Sequence, residues 1–465
     1  MKKINLGQKD IIHFVGIGGI GMSGLAQIMN NMGFKIQGSD QYRNKNTLSC
    51  SKSGIKIFIG HSSSNIKKAN FLVKSTAIKN NNVELKFARK NKIPIYSRAE
   101  VLADVVSLKK NIIITGSHGK TTTTSLVAKI LSDQKLDPTI INGGVINSFK
   151  SNAKLGKGDW AILEADESDG SFLKLPINYS IVTNIDCEHL DYYRNYKNLE
   201  NSFIEFINKT PTTGKSIICV DNNNIRKILY KIKNKNIITY GENKNADFQV
   251  KKIKYKYNNT SFDLSFKSKE NKKKNISNIS VKLLGKHNVL NSAAALIVCL
   301  NLGVNLNKAK KSLKNFSGVQ RRMTKVFSKN QNDFYDDYAH HPTEISSILD
   351  GVNKVNTNRK IISVFEPHRY SRVISLKKEF SKCFSKSHLV IMCPLYAAGE
   401  KKDLRFNSIS FAKLIAKNSK TQVIIVKNEK ELSRYFRKNL ISNEIVIGMG
   451  AGAISKWMSG LKFKL

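Results

Sequence analysis

The sequence has no long apolar run and no cysteine pattern. Among its 465 residues, no stretch approaches the ~20 consecutive apolar residues of a membrane-spanning helix, so we expect no membrane span. Lys2 and Lys3 precede a stretch that Lys9, Asp10 and His13 interrupt, which is not typical of a secretory signal peptide. The six cysteines form no CxxC pair and no metal-ligand spacing, which indicates reduced thiols. These absences predict a soluble, cytoplasmic protein.

Acidic charge is also scarce. The chain has 34 Asp and Glu residues against 78 Lys and Arg residues, which gives a formal net charge of +44. A basic excess of this size is typical of nucleic-acid-binding proteins. However, the lysine- and asparagine-rich runs at 222–236 and 267–275 lack interleaved aromatic residues. We therefore favour compositional drift with an anionic substrate and expect no specific nucleic-acid partner. A basic nucleic-acid-binding ATPase is the alternative from a different class.

The stretch 112–125 has the pattern of a phosphate-binding loop. A β-branched run over 112–115 predicts a buried parallel strand, and a helix with an apolar face follows the loop. Glycines let backbone N–H groups converge on phosphate oxygens, Lys120 adds a full positive charge, and Thr121 offers a hydroxyl to Mg²⁺. Ile114 occupies the place of the usual first glycine, so we expect a short loop. The candidate ATP-binding residues here are Gly116, Ser117, His118, Gly119, Lys120, Thr121 and Thr122.

A second glycine pattern lies near the start of the chain. The strand predicted at 11–15 runs into GIGGIG, which satisfies GxGxxG, and a helix follows. Asp40 ends the next strand, where an acidic side chain would meet a ribose hydroxyl. This pattern predicts a site for a nucleotide with a diphosphate. An NAD-dependent oxidoreductase is one interpretation, but it leaves Lys120 unexplained. The candidate binding residues are Gly16, Gly18, Gly19, Gly21, Ser39 and Asp40.

Two later strands end in polar side chains. The strand predicted at 160–163 ends at Glu164, and the strand at 180–183 leads to His189. Ligands bind outside the carboxyl ends of parallel strands, so we expect both side chains to converge on the edge that bears Thr121. A hydroxyl, a carboxylate, an imidazole and phosphate oxygens could hold Mg²⁺. The predicted metal ligands are therefore Thr121, Glu164 and His189.

The remainder of the chain predicts an appendage and a third α/β unit. Short strands at 248–250, 253–257, 262–266 and 279–283 indicate an antiparallel appendage, and Asn288 and Asn291 share a face of the helix that follows. Strands at 334–336, 361–365, 389–393 and 444–447 each precede a loop rich in polar residues or glycine. Arg369 and Arg372, in one such loop, could clamp a carboxylate or a phosphate.

Together these motifs resemble one family, the Mur ligases of peptidoglycan synthesis. The resembling stretches follow the family's order along nearly the whole chain: HFVGIGGIGMSGLA, GSHGKTTTTS, EADESDGSF, TNIDCEHLD, GKHNVLNSAAA, FSGVQRR, DDYAHHPTE, EPHRYSR and PLYAAGE. Four positions depart from the family pattern: Ser117 replaces a usual Thr, Cys187 a usual Pro, Glu366 a usual Gln and Ala453 a frequent Asp.

The resemblance implies an α/β fold with three domains. These are a Rossmann-like N-terminal domain at 1–107 for the UDP of a nucleotide sugar, a central P-loop-type ATPase domain at 108–318 for ATP and Mg²⁺, and a Rossmann-like C-terminal domain at 319–465. The implied enzyme is an ATP-dependent acid–amino-acid ligase that joins L-alanine to the lactyl carboxylate of UDP-N-acetylmuramate through an acyl phosphate. A related ligase that attaches a recycled peptide to the same sugar is the alternative. We expect a monomer or a weak homodimer.

The resemblance also implies roles for individual residues. His287, Asn288 and Asn291 would lie against ATP, Arg322 near phosphate and Asp337 near the ATP ribose. Tyr338 would bind substrate near the acceptor carboxylate and the alanine, together with His340, Arg369 and Arg372. The candidate catalytic residues are Lys120, Glu164, His189, His340, Arg369 and Arg372.

Overall fold

The computed structural model describes residues 10–256, 259–268, 270, 272–356 and 358–465. Its strands form three sheets, each built from one consecutive part of the chain. None of the described helices combines the length and apolar character needed to cross a membrane.

The first sheet is entirely parallel and has the strand order β3-β2-β1-β4-β5. Its strands are β1 (Ile11–Val15), β2 (Lys35–Asp40), β3 (Lys56–Ile59), β4 (Phe71–Lys74) and β5 (Ile95–Ser97). Its helices are α1 (Ile20–Asn31), α2 (Lys45–Lys52), α3 (Val83–Lys90) and α4 (Arg98–Val106). The strand order reverses between β1 and β4, so the glycine-rich loop after β1 opens at the place where parallel sheets bind ligands.

The second sheet has ten strands in the order β15-β14-β13-β12-β11-β10-β6-β9-β7-β8. The strands are β6 (Lys110–Thr115), β7 (Thr139–Ile146), β8 (Ser151–Lys154), β9 (Trp160–Glu164), β10 (Tyr179–Val182), β11 (Lys215–Cys219), β12 (Ile237–Gly241), β13 (Phe248–Lys256), β14 (Asn259–Lys267) and β15 (Lys273–Val281). The helices are α5 (Lys120–Asp133), α6 (Leu190–Tyr193), α7 (Tyr196–Asn208), α8 (Asn223–Ile228), α9 (Lys286–Asn301) and α10 (Leu306–Lys314). Because β6 lies between β10 and β9 and parallel to both, the loops after these three strands meet at one edge.

The third sheet has the order β16-β17-β21-β18-β19-β20, and only the β16–β17 pair is antiparallel. The strands are β16 (Thr324–Lys329), β17 (Asn332–Asp337), β18 (Lys360–Phe365), β19 (Leu389–Met392), β20 (Gln422–Ile425) and β21 (Glu444–Met449). The helices are α11 (Pro342–Val355), α12 (Tyr370–Ser375), α13 (Lys377–Phe380), α14 (Ser408–Ser419), α15 (Glu429–Asn439) and α16 (Ile454–Lys464).

Two compact units contain these sheets. The first unit consists of Met1–Lys252, Phe262–Val281 and Leu290–Ser317, and the second of Ile253–Ser261, Lys282–Val289 and Gly318–Leu465, as far as these ranges are described. In the first unit, helix α1 packs on β7 and β8, and one apolar core joins Phe14 of the first sheet with Ile113 and Leu163 of the second. The first two sheets therefore share a core, while the predicted boundaries at 107/108 and 318/319 stay predictions.

The structure differs from the sequence prediction in the second and third sheets: β7, β8, β11 and β12 of the second sheet were not predicted, and the lysine-rich segments have other bounds. The strands predicted at 248–250 and 253–257 are one strand, β13, in which Lys252 has a positive φ of 50°; Tyr257 itself lies outside the described residues. The strand predicted at 279–283 runs instead from Lys273 to Val281. The third sheet has six strands rather than four, because β16 and β20 were missed. Strands β13, β15 and β16 carry lysines, which weaken the apolar pattern that predicts a strand, whereas the β-branched run of β20 was missed despite its clear pattern.

Candidate active site

Glycine geometry shapes the phosphate-binding loop between β6 and α5. Gly116 has a φ of 130° and Gly119 a φ of 84°, which side chains rarely adopt. A Cβ on Gly116 would collide with the hydroxyl of Thr183, and a Cβ on Gly119 would lie 2.5 Å from Asn291 Oδ1. The loop is therefore a tight cradle of four residues, 116–119, and Asn291 of helix α9 lies directly against it.

The segment after β10 braces this cradle. The backbone N–H groups of Ser117 and His118 donate to Asn184, at 3.2 Å to its carbonyl oxygen and 2.8 Å to its side-chain oxygen. Thr183 Oγ1 donates to the carbonyl of His118 at 2.6 Å, and Asp186 N donates to Ser117 Oγ at 2.8 Å. The His118 ring lies 2.8 Å from Asp186 Oδ2. The side chains of Ser117 and His118 thus fix the shape of the loop.

Lys120, the first residue of α5, places its ammonium group inside the cradle. Its Nζ donates to the carbonyls of Gly116 at 2.6 Å and Ser117 at 3.2 Å, and to Glu167 Oε1 at 3.0 Å. Burial disfavours the charge, but the carboxylates of Glu167, Asp166 and Glu164 outweigh this effect and raise the pKa of Lys120 above its usual range. Lys120 is therefore a permanent cation at the phosphate site.

Thr121 and Glu164 form the part of the cradle that fits a magnesium ion. Thr121 Oγ1 donates to Glu164 Oε1 at 3.0 Å, and the backbone N–H of Gly143 donates to Glu164 Oε2 at 2.6 Å. A Cβ on Gly143 would lie 2.5 Å from Glu164, so only glycine permits this approach. A hydroxyl and a carboxylate beside a phosphate cradle are the oxygen donors that Mg²⁺ prefers.

His189 lies at the same edge, close to two carboxylates. Its Nε2 atom is 3.6 Å from Glu167 Oε1 and 3.8 Å from Glu188 Oε2. Burial lowers the pKa of His189, but the hydrogen bond and the negative charge of Glu167 raise it by more, so the pKa lies above its usual value. The structure thus brings Thr121 and Glu164 into contact, while the role of His189 as a third metal ligand stays a prediction.

Glu167 is the residue of this site that the sequence analysis missed. It lies within EADESD, where four acids among six residues give no indication of which carboxylate turns inward. The structure buries Glu167 to 1% exposure and leaves Asp169, two positions on, partly exposed.

The glycine-rich loop after β1 donates hydrogen bonds to β2 and accepts one from α2. Gly16 has a φ of 82°, and its backbone N–H donates to the carbonyl of Ser39 at 2.8 Å. Gly18 N donates to Asp40 Oδ2 at 2.8 Å, while Asn46 Nδ2 donates to the carbonyl of Gly18 at 2.8 Å. The Asp40 carboxylate is thus tied to the loop that it was predicted to accompany.

The remaining glycines of this loop lie at the start of helix α1. Gly19 is the N-cap residue of α1, and Gly21 lies in its first turn. A Cβ on Gly21 would lie 3.3 Å from Arg98 Nη1, so the guanidinium group packs against this turn. A cation and a helix N-terminus together suit an anionic group such as a diphosphate. The sequence analysis missed Arg98 because it begins α4, far along the chain.

Ser39 turns its hydroxyl into the protein rather than toward the loop. Ser39 Oγ donates to Glu84 Oε2 at 2.6 Å and lies 3.3 Å from His13 Nε2. His61 Nδ1 is 3.0 Å from Glu84 Oε2, and Asn65 Nδ2 donates to Glu84 Oε1 at 2.8 Å. Burial raises the pKa of Glu84, but hydrogen bonds from His13, Ser39 and Asn65 lower it more, to about 2. Ser39 therefore supports the loop through its carbonyl and through this buried network.

In the second unit, Asp337 lies at the end of β17 and is almost fully buried. Its Oδ2 accepts a hydrogen bond from Met323 N and its Oδ1 one from Ala339 N, both at 2.7 Å. Burial raises the pKa of Asp337 to about 6, although the charge of Arg322 and these two hydrogen bonds oppose the shift. Arg322 NH1 also lies 3.8 Å from Glu344 Oε1.

Two arginines and a histidine surround Tyr338. The guanidinium groups of Arg321 and Arg322 lie 4.7 Å and 5.4 Å from the centre of the Tyr338 ring. The His340 ring packs edge-on against Tyr338, with 5.2 Å between ring centres, and lies 5.5 Å from His368. This arrangement places two guanidinium groups beside an aromatic side chain, and guanidinium groups are suitable partners for a carboxylate.

His368 links this cluster to the arginine loop. Its Nδ1 atom lies 3.2 Å from Arg372 Nη1, and its ring stacks on Tyr396 at 5.5 Å. Burial and the positive charges of His340, Arg372 and Arg369 lower the pKa of His368 to about 3, so the neutral ring can accept a hydrogen bond from Arg372. Arg369 has a φ of 67°, and its backbone N–H donates to the carbonyl of Tyr396 at 2.9 Å. The sequence analysis missed His368 and Tyr396.

Helix α9 carries the three remaining predicted ATP-binding residues. Asn291 is buried in the first unit, where it contacts Gly119. His287 and Asn288 belong to the second unit. Asn288 Nδ2 donates to the carbonyl of Leu284 at 2.7 Å.

Two of the departures from the family pattern meet in the second unit. Glu366 Oε1 accepts a hydrogen bond from Gly452 N at 2.8 Å, and its Oε2 accepts from Ala453 N at 2.8 Å and Ile454 N at 3.1 Å. Ala453 is the N-cap of α16 and offers no side-chain cap, so the Glu366 carboxylate caps this helix in its place.

Comparison with known proteins gives matches along almost the whole chain. Three family models match: the Mur ligase family catalytic domain at 11–110, the Mur ligase middle domain at 114–299, and the Mur ligase glutamate ligase domain at 321–452. A UDP-N-acetylmuramate–L-alanine ligase of Pelagibacter ubique is 53% identical over 459 residues, which cover 99% of each chain. One of Methylorubrum extorquens is 40% identical and covers 98% of this chain and 97% of its own.

Solved structures agree with these matches. The UDP-N-acetylmuramate–alanine ligase MurC of Thermotoga maritima superposes with a TM-score of 0.82 at 27% identity, over 97% of this chain and 98% of its own. A murein peptide ligase of Psychrobacter arcticus shares the fold, with a TM-score of 0.71 at 20% identity over 98% of both chains. By its sequence and by its three-sheet α/β fold, the chain belongs to the Mur ligase family.

Proposed function

We propose that the protein is an ATP-dependent ligase that joins L-alanine to the lactyl carboxylate of UDP-N-acetylmuramate in peptidoglycan precursor synthesis. The observation that carries this proposal is the phosphate cradle in which Lys120 lies beside the Thr121–Glu164 pair. It occurs in a chain that matches relatives of that name over almost its whole length.

The chemistry must bring two anions together. The lactyl carboxylate attacks the γ-phosphorus of ATP to give an acyl phosphate and ADP, and the alanine amine then displaces phosphate to form the amide. Lys120 neutralises phosphate charge inside the cradle, where burial strengthens the interaction. Thr121, Glu164 and His189 would hold Mg²⁺, which would neutralise further phosphate charge and polarise phosphoryl oxygens. Positioning by the protein is the main catalytic contribution.

The other predicted ATP-binding residues complete the nucleotide site in this proposal. Residues 116–122 hold the phosphates through Lys120 and through the backbone N–H groups at the start of α5, and Asn291, beside Gly119, binds the adenine end with His287 and Asn288. Arg322 binds phosphate and Asp337 the ribose.

The amino acid and the sugar nucleotide take the remaining residues. Arg369, Arg372 and His340 bind the carboxylate of L-alanine, and Tyr338 forms the wall of the same site. The glycine loop at 16–21 and Asp40 bind the UDP diphosphate and ribose, and Ser39 contributes by supporting the loop through its backbone carbonyl. The three domains are divided at 107/108 and 318/319. We place this activity in the cytoplasm, in a monomer or a weak homodimer.

The direct test is product mass after incubation with Mg²⁺, ATP, UDP-N-acetylmuramate and two competing acceptors. L-alanine and a tripeptide that begins with L-alanine are supplied at equal concentration. We expect the UDP-N-acetylmuramate–alanine amide, identified by its mass, to be the main product. Predominant tripeptide product would assign the protein to the peptide-recycling alternative, and an absence of both amides would refute ligation.

A further inference from the structure

A carboxylate occupies the phosphate cradle without a part in the proposed chemistry. Glu167 is 1% exposed and lies between the Lys120 ammonium group and the His189 ring. Lys120 Nζ is 3.0 Å from its Oε1 atom and 2.9 Å from its Oε2 atom, and His189 Nε2 is 3.6 Å from Oε1. The carboxylate thus bridges the lysine of the cradle and the histidine at its edge.

The surrounding structure holds Glu167 in this position. The backbone carbonyl of Glu167 accepts hydrogen bonds from Tyr193 OH at 2.5 Å and from Gly170 N at 3.2 Å. Tyr193 is itself buried, at 5% exposure. Because the backbone is anchored and the side chain is enclosed, the carboxylate cannot turn away into water.

Lys120 has no spare proton for a phosphate in this arrangement. An ammonium group has three N–H bonds. In the structure these have three acceptors, the carbonyls of Gly116 and Ser117 and the Glu167 carboxylate. A phosphate oxygen that approaches Lys120 must therefore share or replace one of these acceptors, and it meets the negative charge of Glu167 as it does so.

A divalent cation between the acidic side chains explains the arrangement less well. The ligand atoms of Glu167, Glu188 and His189 lie within 4.8 Å of one another, which is the spacing of a metal site. However, the Lys120 ammonium already lies 2.9 Å from Glu167, so a cation bound there would face a positive charge at short range. The geometry favours Lys120 itself as the partner of this carboxylate.

We propose that Glu167 is a positioning residue that aims Lys120 and His189 for phosphoryl transfer and, as a competing anion, weakens the binding of ATP. The inference rests on the proposed function, because it treats the cradle as the site of phosphoryl transfer. It assigns Glu167 two opposite effects: its charge weakens the binding of the nucleotide, and its contacts raise the rate by fixing the Lys120 and His189 side chains. A carboxylate needed only for folding would not produce this combination.

The Glu167→Gln substitution separates the two effects, because glutamine keeps the shape and one acceptor oxygen but removes the charge. We expect the Kd of Mg·ATP, measured by calorimetry without the sugar nucleotide, to tighten roughly tenfold once the repulsion is removed. We expect kcat for amide formation to fall about tenfold or more, because Lys120 and His189 lose their common anchor. Glu167→Asp, which keeps the charge, should leave the Kd for Mg·ATP near the wild-type value and reduce kcat.

Glu205→Gln is the matched control. Glu205 also pairs with a lysine, Lys209 at 2.9 Å, but lies exposed on helix α7. This variant should change neither constant. A Glu167→Gln protein that binds Mg·ATP equally or more weakly, or that keeps the wild-type kcat, would overturn the proposal. Wild-type amide formation is measured in the same series, so a failed ligase assignment would appear in the wild type and not as a changed Kd.

Discussion

The buried carboxyl group of Asp337 makes the stability of the folded protein depend on pH. Its pKa in the folded protein is about 6, against an ordinary value of 3.8, because burial outweighs the opposing charge of Arg322. Between these two values the folded state binds the proton more tightly than the unfolded state does. The free energy of unfolding contributed by this group therefore falls as pH rises from about 4 to about 6, by roughly 3 kcal/mol for the gap between the two pKa values. Below pH 4 the carboxyl group is neutral in both states and carries no such cost.

Asp337→Asn removes the titration while retaining the shape of the side chain. The amide offers only one acceptor oxygen to the N–H groups of Met323 and Ala339, so the variant should be less stable than the wild type by ~1 kcal/mol at pH 4. Above pH 6 the wild type carries the cost of a buried charge, and the variant should become the more stable of the two.

The assay is urea unfolding at constant ionic strength between pH 4 and 7. Trp457 lies in the second unit, and Trp160→Phe, introduced in both proteins, makes Trp457 the only tryptophan reporter. Other carboxylates titrate equally in the two proteins, so the difference between them isolates Asp337. A difference in unfolding free energy that stays constant from pH 4 to 7 would refute the reasoning.

Three further substitutions test other parts of the site and fold. Lys120→Ala should reduce amide formation by about a thousandfold or more, because the cradle loses its cation. Calorimetry should show sugar-nucleotide binding within about twofold of wild type. Loss of that binding would mean that the glycine loop of the first sheet does not hold the sugar nucleotide. Thr121→Val should raise the Mg²⁺ concentration for half-maximal activity about tenfold by removing an oxygen ligand, and Thr121→Ser should keep the wild-type Mg²⁺ requirement. An unchanged requirement in Thr121→Val would exclude the Thr121–Glu164 pair as the magnesium site. Glu366→Gln should lower the unfolding free energy of the second unit by ~1–3 kcal/mol, seen as a lower urea midpoint, because an amide cannot accept all three backbone hydrogen bonds at 452–454. An unchanged midpoint would show that the carboxylate does not cap α16.

The parts of the fold that the sequence predicted are those with strong local patterns. The β-branched run before Gly116 and the apolar strand before Gly16 both form buried parallel strands followed by glycine turns and helices. The edge strand β16 was missed, because its polar and lysine residues interrupt the apolar pattern. The sheet order could not be read locally, since β6 pairs with β9 and β10, which lie far along the chain.

The site was predicted to a similar degree and for the same reason. Thr121 and Glu164 meet as expected, because both follow the carboxyl ends of neighbouring strands. The inward turn of Glu167, by contrast, depends on how the loop after β9 is anchored by Tyr193, which is a tertiary contact. The stacking of His368 on Tyr396 likewise joins two strand-end loops. Side chains that act through such contacts have no signature in sequence spacing.

The central claim is that ATP hydrolysis is coupled to amide formation. The most direct measurement is release of inorganic phosphate from Mg·ATP in the presence of UDP-N-acetylmuramate, with and without L-alanine. We predict that sustained release requires both substrates and equals the amide formed, mole for mole. Phosphate release that is indifferent to both substrates, and is stimulated by RNA, would contradict the account and favour a nucleic-acid-dependent ATPase.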